Sequence, residues 1–386
     1  MQSTSSLSLA QRLETVGFSD IVQIRNKILA LREGGQKVFE FHGGEPYFET
    51  PDPIKQAIAQ AIAENKTHYA PSSGIAPLRQ QLARKLSAKN GIEATADEVI
   101  VTTGGMQALY AAFQTTLNPG DRCIVFSPYW TPIGDLLHAA QAEPLLVDSE
   151  RGRADGLRTA LASALSPKVR AIYYNTPNNP SGFVFTREEA EIVAEFAIQN
   201  DLIVIADEAY EDLVYEGEHF SIASLPGMME RTITCYTFSK SYAMTGWRVG
   251  YAVAREPWMT GLRKIVLYST NGVATPNQWA ALHALSTPET ELLARREEYR
   301  RRRDLLVSGL HSVGFGIQPP AGAFYAFPNC EHIQRDSRVA AQILLEKARV
   351  SSVPGTVFAK EGHLRMCFAA SPETIAGAID SIRRNL

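Results

Sequence analysis

A lysine does carbonyl chemistry only after losing its proton, and the residues around Lys240 are of types that favour that loss. The segment Tyr236-Thr-Phe-Ser-Lys-Ser-Tyr-Ala-Met-Thr-Gly-Trp-Arg-Val-Gly-Tyr251 crowds hydroxyls about one amine and sets Arg248 eight positions later. In a semi-enclosed polar site beside other cations, such an amine can deprotonate and form a Schiff base with a carbonyl. A lysine to hold an aldehyde and an arginine to hold a phosphate suggest pyridoxal phosphate.

Other segments supply groups that this cofactor needs. Thr102-Thr-Gly-Gly-Met-Gln107 follows a strand-like run and opens a helix. Two glycines there let backbone N–H groups close on an anion that the helix dipole also favours. Glycine at a strand-to-helix turn also serves steric ends alone. Asp207 ends the apolar run Leu202–Ala206, and the carboxyl end of a strand is where α/β sheets place ligands. A carboxylate there could pair with a protonated pyridine nitrogen, and Tyr210 could donate to the cofactor's phenolate oxygen. A loop with a helix cap explains an isolated Asp-Glu-Ala-Tyr equally well. Asn175-Thr-Pro-Asn-Asn-Pro-Ser-Gly182 is a turn on any reading; its functional version points the Asn179 amide at the same oxygen. Trp130 offers a flat face to stack on a pyridine ring, or simply a core aromatic.

These segments need a frame. Short β-rich runs (Val99–Thr102, Cys123–Phe126, Ala171–Tyr174, Leu202–Ala206, Thr232–Tyr236, Val249–Val253) alternate with longer helical stretches. Unbroken apolar runs suit strands buried on both faces, as in a mainly parallel sheet between helices. Helices are expected from Ile21 to Gly34, from Pro53 to Asn65, from Ala76 to Asn90, and after the capping box Thr186-Arg-Glu-Glu189. One long charged helix runs from Thr287-Pro288 to Val313; strand-like Ala323–Phe327 and Leu364–Phe368 and a helix from Pro372 follow. The division expected is a large domain over 46–285 and a smaller α+β domain from 1–45 and 286–386. The run Arg300–Arg303 reads as a solvated helix face, with Glu297 and Glu298 paired at i,i+4 to Arg301 and Arg302.

Composition sets the outer bounds. The chain has 386 residues, 45% apolar and 20% charged, with net charge −3; nothing in that balance favours nucleic acid or an anionic membrane. No run approaches the roughly 18–20 apolar residues of a membrane span, and the first residues lack the pattern of a signal peptide. Cys123, Cys235, Cys330 and Cys367 lie far apart, as buried thiols of a reduced compartment would. A cytoplasmic enzyme without metal is expected.

Taken together, the motifs resemble the fold-type-I, class I/II aminotransferases of the aspartate and aromatic type. The resemblance covers nearly the whole chain and rests on Ser239-Lys240 with Arg248, Asn179-Pro-Ser-Gly182 and Asp207-Glu-Ala-Tyr210. Gly44-Glu-Pro, His68-Tyr-Ala-Pro71, Gly322-Ala-Phe-Tyr325 and Leu364-Arg-Met-Cys-Phe368 extend it. It implies an α/β fold with a seven-stranded, mainly parallel sheet. Lys240 would hold pyridoxal phosphate and carry the proton, Asp207 would pair with the pyridinium, and Asn179 and Tyr210 would bond the phenolate. Gly105, Met106 through its backbone, Thr237, Ser239 and Arg248 would surround the phosphate, with Trp130 on the ring. Arg365 would grip the substrate α-carboxylate, with Gly44 and Asn179 nearby. Tyr69 would reach the neighbouring subunit's phosphate, which implies a homodimer with shared sites.

Met106 stands where some acidic-substrate members carry lysine, and the start of the first helix offers Phe18 and Ile21. An apolar lining lacks the cation that a side-chain carboxylate wants. The donor expected is therefore a neutral or aromatic L-amino acid, with a 2-oxo acid such as 2-oxoglutarate as acceptor in a ping-pong exchange. Aspartate aminotransferase and a carbon–sulfur β-lyase on the same cofactor are the alternatives. A regulatory domain without turnover would leave the filled catalytic positions unexplained. A fold-mate without cofactor would give Lys240, Asp207 and Arg248 no reason to occur together.

Overall fold

In the computed structural model, which describes residues 9–18, 20–148 and 155–386, the unbroken apolar runs become strands covered on both faces. They are β1 (Val99–Thr102), β2 (Arg122–Ser127), β3 (Glu143–Asp148), β4 (Val169–Asn175), β5 (Ile203–Asp207), β6 (Thr232–Thr237) and β7 (Gly250–Val253). They form a seven-stranded sheet in the order β1-β7-β6-β5-β4-β2-β3. β7 runs antiparallel to β1 and β6; every other pairing is parallel. The carboxyl ends of six strands and the amino end of β7 therefore share one edge.

Alternation along each strand sends side chains to opposite layers. Ile100, Val125, Tyr173, Ile205 and Ile233 pack under the helices Gly104–Thr116 and Trp258–Thr270. On the other face, Ile172, Tyr174, Val204 and Ala206 meet the helix Arg187–Gln199, which opens on the expected reciprocal bonds between Thr186 and Glu189. A further core joins Phe41, the helix Glu289–Ser312, Tyr325, the strand Leu364–Cys367 and the helix Pro372–Asn385, and reaches Tyr210 and Leu213. The N-terminal strand Phe39–Glu40 pairs parallel with Val350–Ser351, which joins the start of the chain to its end.

Three expectations change. β3 was not anticipated, because its position at the sheet edge leaves Glu143 and Leu146 exposed and interrupts the apolar run. The strand expected over Ala323–Phe327 is only Tyr325–Ala326. The arginine run is not a solvated face throughout: Arg302 and Arg303 are 5% and 4% exposed. Arg302 keeps its Glu298 pair, donates to the Ala370 carbonyl and lies 3.5 Å over the Tyr47 ring. Arg303 donates to the Pro320 carbonyl and pairs with Glu216. Glu297 bonds Arg300, three positions on, and Arg301 turns to Glu298. A planar guanidinium can be buried where carbonyls and rings surround it, and sequence spacing does not show that.

β7 fits between β1 and β6 only because position 250 is glycine. A Cβ there would lie 2.6 Å from the Gly104 carbonyl carbon and 2.7 Å from both Gly105 N and the Tyr236 carbonyl oxygen. Gly250→Ala is expected to cost about 1–3 kcal/mol through this overpacking, read by urea unfolding. Gly246→Ala, with nothing within 4 Å of its Cβ, should change stability by less than about 0.5 kcal/mol. Equal effects at the two positions would refute the steric account.

Candidate active site

Five of the strands that run the same way deliver their next few residues to the shared edge. β1 leads to Gly105, β2 to Trp130, β4 to Asn179, β5 to Asp207 and Tyr210, and β6 to Ser239 and Lys240. The reversed strand supplies Arg248 from its amino end. With Gly44, Met106, Thr237 and Arg365, these residues line a single cavity of about 300 Å³. Twelve of the thirteen residues singled out in the sequence thus meet in one place. Tyr69 does not; it is 93% exposed. Of the two apolar residues expected from the first helix, Ile21 lines the cavity, whereas Phe18 lies outside it, 96% exposed. Phe18 precedes the helix Asp20–Glu33, so helical spacing does not orient it.

Lys240 is half-buried, and its Nζ donates to the Gly44 carbonyl at 2.7 Å. Burial lowers its pKa to about 8, and Arg365 and Arg248 push the same way against the opposing pull of Cys367 and Glu45. Asp207 is the converse. Burial raises it to about 6, although it accepts from Tyr173 Oη at 2.6 Å and from Ala209 N at 3.3 Å. Arg365 donates to Asn179 Oδ1 at 3.1 Å and to the His42 and Gly43 carbonyls, while its Nε is buried without a partner among the described residues.

At the other end, no side chain among the described residues caps the helix Gly104–Thr116, so its first N–H groups stay available to an anion. Gly104 has φ +72°, and a Cβ on it would lie 2.4 Å from Arg248 Nη2; only glycine lets the guanidinium cross the turn. Arg248 itself has φ +55°, a strained conformation of the kind that gathers at functional sites. The Thr237 and Ser239 hydroxyls, 2.9 Å apart, complete this pole.

The sequence reading gave no role to Asn175, Leu109, Ala209 or Tyr325, which also line the cavity. Asn175 shapes the next turn, accepting from Asn179 N at 3.1 Å and donating to the Asp207 carbonyl at 3.0 Å. Its signal was present, as an asparagine closing a strand before a proline-rich turn.

An anion pole, a half-buried lysine whose proton is readily lost, a buried carboxylate bonded only by a phenol and a backbone amide among the described residues, and a cavity-lining arginine fit pyridoxal phosphate and an amino-acid carboxylate. The fold and site define a fold-type-I pyridoxal-phosphate enzyme. Residues 36–382 match the family described as "Aminotransferase class I and II". The chain belongs to that family, whose members use pyridoxal phosphate to exchange an amino group between amino acids and 2-oxo acids. It is similar to the aspartate/prephenate aminotransferase of Thermus thermophilus, 40% identical with 98% of each chain covered. It is likewise 35% identical to aromatic-amino-acid aminotransferase 2 of Thermococcus litoralis, again over 98% of each. The structure of the Thermus thermophilus aspartate aminotransferase with maleate superposes with TM-score 0.94 at 38% identity, covering 98% of this chain and 100% of that one.

Asp207 gives a signed pH prediction for the cofactor-free protein. Its folded pKa, about 6, lies above the ordinary 3.8, so its ionisation destabilises the fold above pH 6, and the penalty fades as pH falls towards 4. Asp207→Asn is expected to raise stability at pH 7 by on the order of 2 kcal/mol, with no gain near pH 4. Urea unfolding of both apo proteins across that range checks it.

Proposed function

We propose that Lys240, Asp207, Asn179, Tyr210, Arg248 and Arg365 carry the exchange, with a neutral or aromatic L-amino acid as donor and a 2-oxo acid such as 2-oxoglutarate as acceptor. One observation carries the substrate reading. Among the described residues, the cations lining the cavity are Lys240, Arg248 and Arg365, while Ile21, Met106, Leu109 and Trp130 form apolar wall. Each cation has a task before any substrate side chain arrives, so a second carboxylate would be desolvated without a partner.

Bound cofactor supplies an aldehyde that takes up the amino group and a ring that withdraws electrons from the substrate Cα. Lys240 holds that aldehyde and, once released, moves the proton at Cα; a pKa of about 8 keeps a useful fraction of the amine unprotonated near neutrality. Asp207 holds the ring nitrogen's proton, and that cation restores to the carboxylate what burial removed. Asn179 and Tyr210 orient the ring oxygen, with Trp130 on the ring face. Gly105, the Met106 backbone, Thr237, Ser239 and Arg248 hold the phosphate. The Arg365 guanidinium, which lines the cavity, offers the substrate α-carboxylate charge-assisted bonds beside Gly44 and Asn179. The acceptor uses the same residues in the second half of a ping-pong cycle.

The same reading makes the protein a cytoplasmic homodimer with a large domain at 46–285 and a small one from 1–45 and 286–386. The four cysteines are buried and free, no helix among the described residues is long and apolar enough to cross a membrane, and the core around Phe41, Tyr299 and Ile382 supports the domain division. Exposed Tyr69 supports sites shared across the dimer. Aspartate as donor is the second reading, favoured by the names of the Thermus relatives.

Phenylalanine or methionine is expected to exceed aspartate in kcat/KM by about tenfold or more, and Met106→Lys to move the ratio towards aspartate by a similar factor. A wild-type preference for aspartate of that size would overturn the substrate reading. Co-expressing Lys240→Ala with Tyr69→Ala chains tests the shared site. Mixed dimers keep one intact site, so about a quarter of wild-type activity should return from two inactive parents. No recovery would count against the shared-site arrangement.

A further inference from the structure

Tyr325 is the cavity residue whose neighbours belong to both halves of the site. It is buried, and its hydroxyl lies 2.9 Å from that of Tyr210 with the rings edge to face. The Arg365 guanidinium sits 4.6 Å over its ring. Gly44 approaches so closely that a Cβ there would lie 2.8 Å from the Tyr325 hydroxyl. Tyr325 therefore touches the tyrosine read as the phenolate donor, the arginine read as the carboxylate grip and the glycine whose carbonyl accepts from Lys240.

We infer that Tyr325 is a positioning residue that fixes the direction of the Tyr210 proton: Tyr325 donates to Tyr210, so that Tyr210 must donate to the cofactor's ring oxygen. The inference rests on the reading of Tyr210 as that donor. A hydroxyl has one proton. Once Tyr210 spends its proton on the ring oxygen, the 2.9 Å contact can be a hydrogen bond only if Tyr325 gives the other. Burial raises Tyr325 to about 12 and holds Tyr210 well above the ordinary tyrosine value, so both hydroxyls keep their protons at neutral pH. A donor whose own oxygen accepts a hydrogen bond is polarised and donates more strongly. The titratable and charged groups facing the pair are Asp207, Lys240, Arg365 and Cys367. None of them is removed by changing Tyr325 to phenylalanine, which also keeps the ring beneath Arg365.

The test is a pH titration of the visible absorbance of the holoenzyme for wild type, Tyr325→Phe, Tyr210→Phe and the double variant. Weaker donation to the ring oxygen binds the titrating proton more tightly, so the midpoint moves up. Tyr210→Phe should raise it by about one unit and Tyr325→Phe by about half a unit. The double variant should match Tyr210→Phe alone, because Tyr325 acts through Tyr210. A shift in Tyr210→Phe without one in Tyr325→Phe would overturn the inference and leave the Tyr210 reading intact, as would fully additive shifts. No shift in Tyr210→Phe would overturn the Tyr210 reading and the inference with it. Thermal unfolding confirms that each variant is folded at the titration temperature, so an unmoved midpoint in folded Tyr325→Phe counts against the inference.

Discussion

Lys240, Asp207 and Arg365 are charged in water, yet the fold buries Asp207 and Arg365 and half-buries Lys240 around one cavity, with fewer partners than their charges call for. Among the described residues, Lys240 has one backbone acceptor, Asp207 a phenol and a backbone amide, and Arg365 an Nε without a partner. Desolvation is the largest effect on both Lys240 and Asp207, moving the amine down and the carboxyl up, each against its charged form. A protein keeps such groups only where the rest of the structure is stable enough to hold them. In the proposed reading, the complementary charges of a pyridinium and an α-carboxylate would relieve Asp207 and Arg365 directly.

That stability comes from the sheet. Parallel strands gather their carboxyl ends at one edge, so short loops after β1, β2, β4, β5 and β6 can meet without long excursions. A wholly parallel sheet would carry the residues just before a strand to the opposite edge. Reversing β7 brings Arg248 to the working edge, and Gly250 lets that strand press against the Gly104–Gly105 turn. The anion pole is thus a product of strand direction as much as of residue choice.

The second core explains how the far side of the cavity is assembled. The helix Glu289–Ser312 presents Arg302 to Tyr47, in the segment that follows Gly44, while the strand Leu364–Cys367 carries Arg365 beside Tyr325. The Arg365 end of the cavity is built on one core and the Arg248 end on the sheet, and Tyr210 belongs to the former core although it follows a sheet strand.

Much of this was legible in the sequence. Strand-end residues announce themselves through apolar runs followed by Gly, Asn, Asp or a lysine amid hydroxyls, because the same few residues must end a strand and meet a ligand. Lys240 to Arg248 and Asp207 to Tyr210 are each encoded within ten residues. Contacts across long separations were not. Tyr210 and Tyr325 are 115 positions apart, and Arg365 reaches Asn179 across 186. The burial of Arg302 and Arg303, the entry of Ile21 but not Phe18, and the edge placement of β3 likewise depend on what packs against each element. The sequence by itself determined which chemical groups are present and which strands deliver them, since local pattern and turn chemistry act over a few residues. The tertiary structure decided which groups lose water and whom they touch, because desolvation depends on neighbours from every part of the chain.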